Sequence, residues 1–108
     1  MLSKDRYFDE NIRDKVATAI KDKFPNESIE IWKSCVARGI RQVNQKGYNE
    51  AGGYLSKIRK LMLSKNMNND WDIYITAIRK ENYRRPRFIG VLNNLDNILL
   101  KTKPLIIS

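Results

Sequence analysis

Histidine is missing from all 108 residues, and cysteine occurs once, at Cys35. The first absence removes Ser-His-Asp and Cys-His nucleophile systems, together with the usual proton shuttle near neutral pH. The second removes any intramolecular disulfide. Together they exclude zinc sites built on His with Cys or on four Cys. No apolar run approaches the ~18 residues of a membrane span, and residues 1–24 are charged throughout, without the apolar core of a secretory leader. A cytoplasmic protein is the expectation. Glycine-rich phosphate loops are also missing, because Gly52–Gly53 lies inside a helical pattern. No clean alternation of apolar and polar residues marks a strand within the first hundred positions.

What is present is a chain with 42% hydrophobic and 31% charged residues, a balance that predicts one globular domain over residues 1–108. The net charge is +9 and unevenly placed. Residues 1–54 hold ten Lys/Arg against eight Asp/Glu, whereas residues 55–108 hold eleven against four. A basic half favours acidic partners and says nothing about fold.

The apolar period is helical almost everywhere. A first helix is expected from Ser3 to Phe24, with Phe8, Ile12, Val16, Ala19 and Ile20 as its core stripe and Pro25–Asn26 as its stop. A second runs from Asn26 to Lys46 on Ile29, Trp32, Cys35/Val36, Ile40 and Val43, and Lys46–Gly47 reads as its end. A third runs from Tyr48 to Lys65 on Ala51, Tyr54/Leu55, Ile58, Leu61 and Met62, with Asn49 as its cap. There Gly52 and Gly53 each cost about 1 kcal/mol against alanine, which points to a closely packed neighbour. A fourth, from Asn69 or Asp70 to Tyr83, carries Trp71, Tyr74/Ile75 and Ile78. Pro86 separates it from a fifth, carrying Phe88, Val91/Leu92, Leu95 and Ile98/Leu99. Short links make neighbours antiparallel. The expectation is therefore an all-α architecture of about five helices in antiparallel hairpins, a tetratricopeptide-like array or small bundle, with residues 1–25 as first helix, 27–99 as hairpins and 100–108 as an apolar tail.

Trp32 and Trp71 read as core anchors, and Cys35 as a small buried hydrophobe. Asp70 and Asp72 complement a helix N-terminus. Asp9, Glu10 and Asp14 fall mostly off the stripe and read as a solvated face. The notable stretch is "RKENYRRPRF", residues 79–88, with Arg79, Lys80, Arg84, Arg85 and Arg87 against the single acid Glu81. Cations in the last turn of a helix have a structural use, so the stretch is first a joint between two helices. Lys57, Arg59, Lys60 and Lys65 form a second cationic strip, expected to merge with the first if helices three and four are antiparallel neighbours. Tyr83 is the aromatic expected to be exposed among these charges.

Residues 48–92, "YNEAGGYLSKIRKLMLSKNMNNDWDIYITAIRKENYRRPRFIGVL", resemble the C-terminal helical region of bacterial SWIM zinc-finger proteins. The likeness rests on Tyr48, Ala51, Tyr54, Leu55, Ile58, Arg59 and Leu61, then Trp71, Tyr74, Ile75, Ile78 and Arg79, then Arg85 and Pro86. Upstream "IWKSCVARGI" is similar to that region's preceding helix, and the layout is similar to tetratricopeptide hairpins. The family's zinc ligands have no counterpart here. The resemblance implies a helical interaction scaffold without the finger.

The expected function is a non-enzymatic helical module that binds a protein partner, acidic where it meets the basic face. The alternative is a nucleic-acid-binding protein of low sequence specificity. It would use Lys57, Arg59, Lys60, Arg79, Lys80, Arg84, Arg85 and Arg87, with Tyr83 stacking on bases. No cofactor, metal or catalytic residue is assigned, and no membrane partner is expected. Homo-oligomerisation through the Gly52–Gly53 helix or the tail is left open.

Overall fold

A computed structural model describes residues 10–95. The expectations for Ser3, Phe8 and Asp9, for Ile98 and Leu99, and for the 100–108 tail lie outside the described residues. Within them the chain is an all-α bundle: α1 (Glu10–Ile20), α2 (Pro25–Arg41), α3 (Gln45–Ser64), α4 (Asn68–Glu81) and α5 (86–95). Links of three or four residues turn each helix back on its predecessor. All five contribute to one core. Its members include Ala17 from α1, Trp32 and Val36 from α2, Leu55 and Ile58 from α3, Trp71 from α4, and Phe88 and Leu92 from α5.

The helix α3 is central. Its most extensive contact is with α2, and it also meets α4. Two glycines set the α2–α3 distance. A Cβ on Gly39 would sit 2.6 Å from the Gly47 carbonyl oxygen, and a Cβ on Gly47 would collide with the Gly39 carbonyl oxygen. Gly47 is therefore not the left-handed stop expected for α2. It lies in the first turn of α3, where lack of a side chain lets two backbones touch. The chain reverses earlier, after Arg41, through Val43 at φ 51°. The cap of α3 is Asn44, not Asn49: its side-chain oxygen accepts the Gly47 N–H at 2.7 Å.

Pro25 opens α2 at its first helical turn, one residue before the expected start at Asn26. Asn82 ends α4 ahead of Tyr83, its side-chain amide donating to the Ile78 carbonyl at 2.8 Å. The pair Gly52–Gly53 divides. A Cβ on Gly52 would meet Val91 Cγ1 of α5 at 2.5 Å, while one on Gly53 meets nothing within 4 Å.

The first helix docks by a different face from the expected one. Ile12 and Val16 remain 46% and 45% exposed, and Ala19 is exposed as well. The docking face carries Arg13, Asp14 and Ala17. Ser28 donates to the Ala17 carbonyl at 2.7 Å, and Arg13 donates to Ser34 Oγ at 2.6 Å. Asp14 is only partly exposed and does not sit on an open solvated face. Its carboxylate accepts the Trp32 indole N–H at 2.9 Å and the Lys57 ammonium at 2.7 Å, joining three helices. Burial alone raises this carboxyl's pKa, but the hydrogen bonds from Lys57 and Trp32 and the charge of Lys57 outweigh it and hold the value below the ordinary aspartate range.

Candidate interaction face

The cationic residues singled out in the sequence do not form one surface. Lys57 faces α1 and is held by Asp14. Arg59 lies on the other flank of α3, its guanidinium 5.5 Å from the Trp71 ring centroid. Arg79 donates to Asn93 Oδ1 at 3.1 Å, tying α4 to α5. Eight residues separate Trp71 from Arg79, about 12 Å along α4, so the α3 strip and the 79–88 stretch do not merge. Lys60 is exposed at the edge of a cavity of about 570 Å³ between α3 and α5, whose floor includes Gly53 and Leu95.

The remaining residues gather at the α4–α5 corner. Lys80, Arg84 and Arg87 are exposed and Arg85 is half-buried, and no salt bridge among the described residues holds any of them. Tyr83 is 65% exposed, as expected. One partner is already at hand: the Arg84 guanidinium carbon stands 5.3 Å from the Tyr83 ring centroid, and Arg84 Nε donates to the phenol oxygen at 2.8 Å. This presents a flat, cationic surface that suits carboxylates.

A second feature was not legible in the local pattern. Because α3 lies between α2 and α4 in sequence and reverses the chain twice, α2 and α4 run parallel. A groove follows their seam as two cavities of about 390 and 270 Å³. The first joins Asn26, Ile29 and Glu30 near the start of α2 to Asp70 and Ile73 near the start of α4. The second joins Ile40 and Arg41 at the end of α2 to Ile78, Glu81 and Asn82 at the end of α4. Lys33 and Tyr74 line both cavities, so they mark the midpoint. Both volumes lie near or below the lower end of the ~300–1,000 Å³ typical of small-molecule sites, a size for single side chains of a longer ligand.

The lip of the groove is apolar where it need not be. Ile73 is 68% exposed, although the α4 core stripe would have accepted a polar residue there. At the midpoint, Lys33 Nζ stands 4.7 Å from the Tyr74 ring centroid and 3.5 Å from Glu30 Oε2. Burial, followed by the nearby carboxylates of Glu30 and Glu81, pushes the Tyr74 phenol well above its ordinary range, so it stays a neutral donor. At its far end the groove reaches Asn82, which the basic corner follows in the chain.

Trp32 and Trp71 take the core positions expected of them, at 3% and 5% exposure. Tyr48 is also core, with its ring 5.5 Å from Phe88. Cys35 is buried. No helix among the described residues is long and apolar enough to cross a membrane. No family profile, no curated protein and no solved structure matches this chain.

Proposed function

We propose that this chain is a non-enzymatic helical interaction module that binds a protein segment along the α2–α4 groove and at the α4–α5 corner. A helical interaction scaffold is also what the resemblance to the SWIM-associated, tetratricopeptide-like helices implies. The observation that carries this reading is the adjacency of two features. A seam with an exposed apolar lip ends at Asn82, and the chain continues from there into a cluster of cations that have no acidic partner among the described residues. Such a face matches a segment with apolar side chains for the seam and carboxylates for the corner.

The nucleic-acid reading is supported less well. Lys57, Arg59 and Arg79 are committed to Asp14, Trp71 and Asn93 respectively. The cations left at the corner span a short acidic stretch rather than a track along a polyanion.

The test is fluorescence anisotropy of a labelled amphipathic peptide, with leucines at helical spacing and a glutamate-rich end, beside single- and double-stranded oligonucleotides at ~150 mM salt. The expected result is peptide binding that weakens severalfold when Arg84, Arg85 and Arg87 become Gln, and that Ile73→Glu removes. Oligonucleotide binding without peptide binding, or peptide binding indifferent to both variants, would overturn it.

A further inference from the structure

The groove has a charge order along its length, and from it we infer the chemistry and orientation of the bound segment. Two carboxylates, Glu30 and Asp70, line its first end. Lys33, at the midpoint, offsets Glu30 in part. Apart from the shared Lys33, the second end is lined by Arg41 and one carboxylate, Glu81, and it closes at Asn82, which Arg84, Arg85 and Arg87 follow closely in the chain. The origin is simple. Acidic residues stabilise helix starts and basic residues helix ends, and two parallel helices superpose the same bias side by side. Asp70 stands in the first turn of α4, and Arg41 in the last turn of α2. Each macrodipole supplies only about half an elementary charge at an end, so whole side-chain charges remain to face a ligand.

From Asp70 to Glu81 the groove is about 17 Å long, enough for about a dozen residues of helix or five of extended chain. The segment therefore carries Lys or Arg at one end, against Glu30 and Asp70. Its centre is apolar, over Ile73 and Tyr74. Its other end is Asp or Glu, against Arg41 and the corner. This inference rests on the reading of the groove as the binding face, and adds to it the direction in which a partner lies.

A display library of random peptides, about a dozen residues long, is selected against the full chain. The enriched peptides are then measured in pairs, intact and with the charges at one end changed to Gln. The expected result is an enriched set with a basic end, an apolar centre and an acidic end. Asp70→Asn should weaken the intact peptide about two- to fivefold and leave the peptide lacking its basic end unchanged, and Arg41→Gln should do the same for the acidic end. Asp70 and Arg41 are exposed, so equal thermal melts of the variants separate binding from folding. Enriched peptides without this charge order, or coupling of Asp70 to the acidic end, overturn the inference while the groove stands. No enrichment, or enrichment that Ile73→Glu does not abolish, overturns the groove as well.

Discussion

The substitution Gly47→Ala tests the α2–α3 crossing directly. A methyl group at this position collides with the carbonyl oxygen of Gly39 and stands 2.8 Å from Gln42 Cβ. The first obstacle is backbone inside a helix and cannot rotate away. Relief needs α2 and α3 to part by roughly 0.5–1 Å, a gap that forfeits a quarter to a half of the dispersion attraction across their interface. Overpacking of this kind costs about 1–3 kcal/mol, and a backbone obstacle puts it at the upper end. Alanine returns about 1 kcal/mol of helix propensity, which leaves a net loss of about 2 kcal/mol. The control is Gly53→Ala on the same helix. Nothing lies within 4 Å of its added Cβ, so the propensity gain of about 1 kcal/mol should appear undiminished. Urea unfolding followed by the fluorescence of the two buried tryptophans measures both. The predicted difference between the variants is about 3 kcal/mol, or upwards of 10 °C in melting temperature. A Gly47→Ala protein as stable as the Gly53→Ala protein would refute the close crossing. Gly52→Ala should fall between them, because its obstacle is the Val91 side chain.

Val43 holds φ at 51° while its side chain is 60% exposed. The left-handed backbone costs an L-residue about 1–2 kcal/mol, so Val43→Asn should stabilise by about 1 kcal/mol in the same unfolding assay, and Val43→Gly by less because glycine loosens the unfolded chain. No gain from asparagine would mean the turn is not left-handed there. Asp14→Asn should keep the acceptor for Trp32 but lose the charge facing Lys57, costing about 1 kcal/mol at neutral pH, given that Lys57 is partly exposed. The folded pKa of Asp14 lies below its unfolded value. Its contribution is therefore complete above ordinary aspartate pH, ~4, and fades as pH falls through the folded pKa. Wild type and Asp14→Asn should converge in stability in that acid range, and a constant gap across it would refute the assignment.

Much of the bundle was legible because its second and third helices keep strict apolar stripes. Trp32, Val36, Leu55 and Ile58 all reach the core, and Pro86 begins α5 where its ring permits. The misreadings have physical causes. Glycine serves both to end helices and to bring them together, and Gly47 does the second in a setting that reads as the first. The stripe Ile12–Val16 is sound helical periodicity, but the partner for α1 is polar. Ser28, Trp32 Nε1 and Lys57 offer donors that the Ala17 carbonyl and Asp14 accept, and Ser34 Oγ accepts from Arg13. A pattern read along one helix cannot see the donors on the next. The 79–88 cations were legible as a cluster, while the commitments of Lys57, Arg59 and Arg79 depend on which helix lies opposite.

The α2–α4 groove could not be found from local period at all, because it joins residues about forty positions apart. Its one local signal is Ile73, an apolar residue out of phase with the stripe of Trp71, Ile75 and Ile78. On the proposed reading, the helix beneath the groove prepares it for a partner. The helix α3 is fixed on one flank to α2 by two glycines and on another to α5 at Gly52. It also contributes Met62 to the groove lining from the core. A lining held this way does not have to be ordered when a partner arrives, so less of the binding energy is spent on conformational entropy. The exposed side chains Asp70 and Arg41 at its ends, with Arg84 and Arg87 at the corner beyond, can then act on direction and encounter rate rather than on holding the site together. On the proposed reading, stability and recognition fall on different residues. Substitutions at Gly39, Gly47 or Asp14 should move the unfolding midpoint, while those at Ile73, Asp70 or Arg84 should move binding alone.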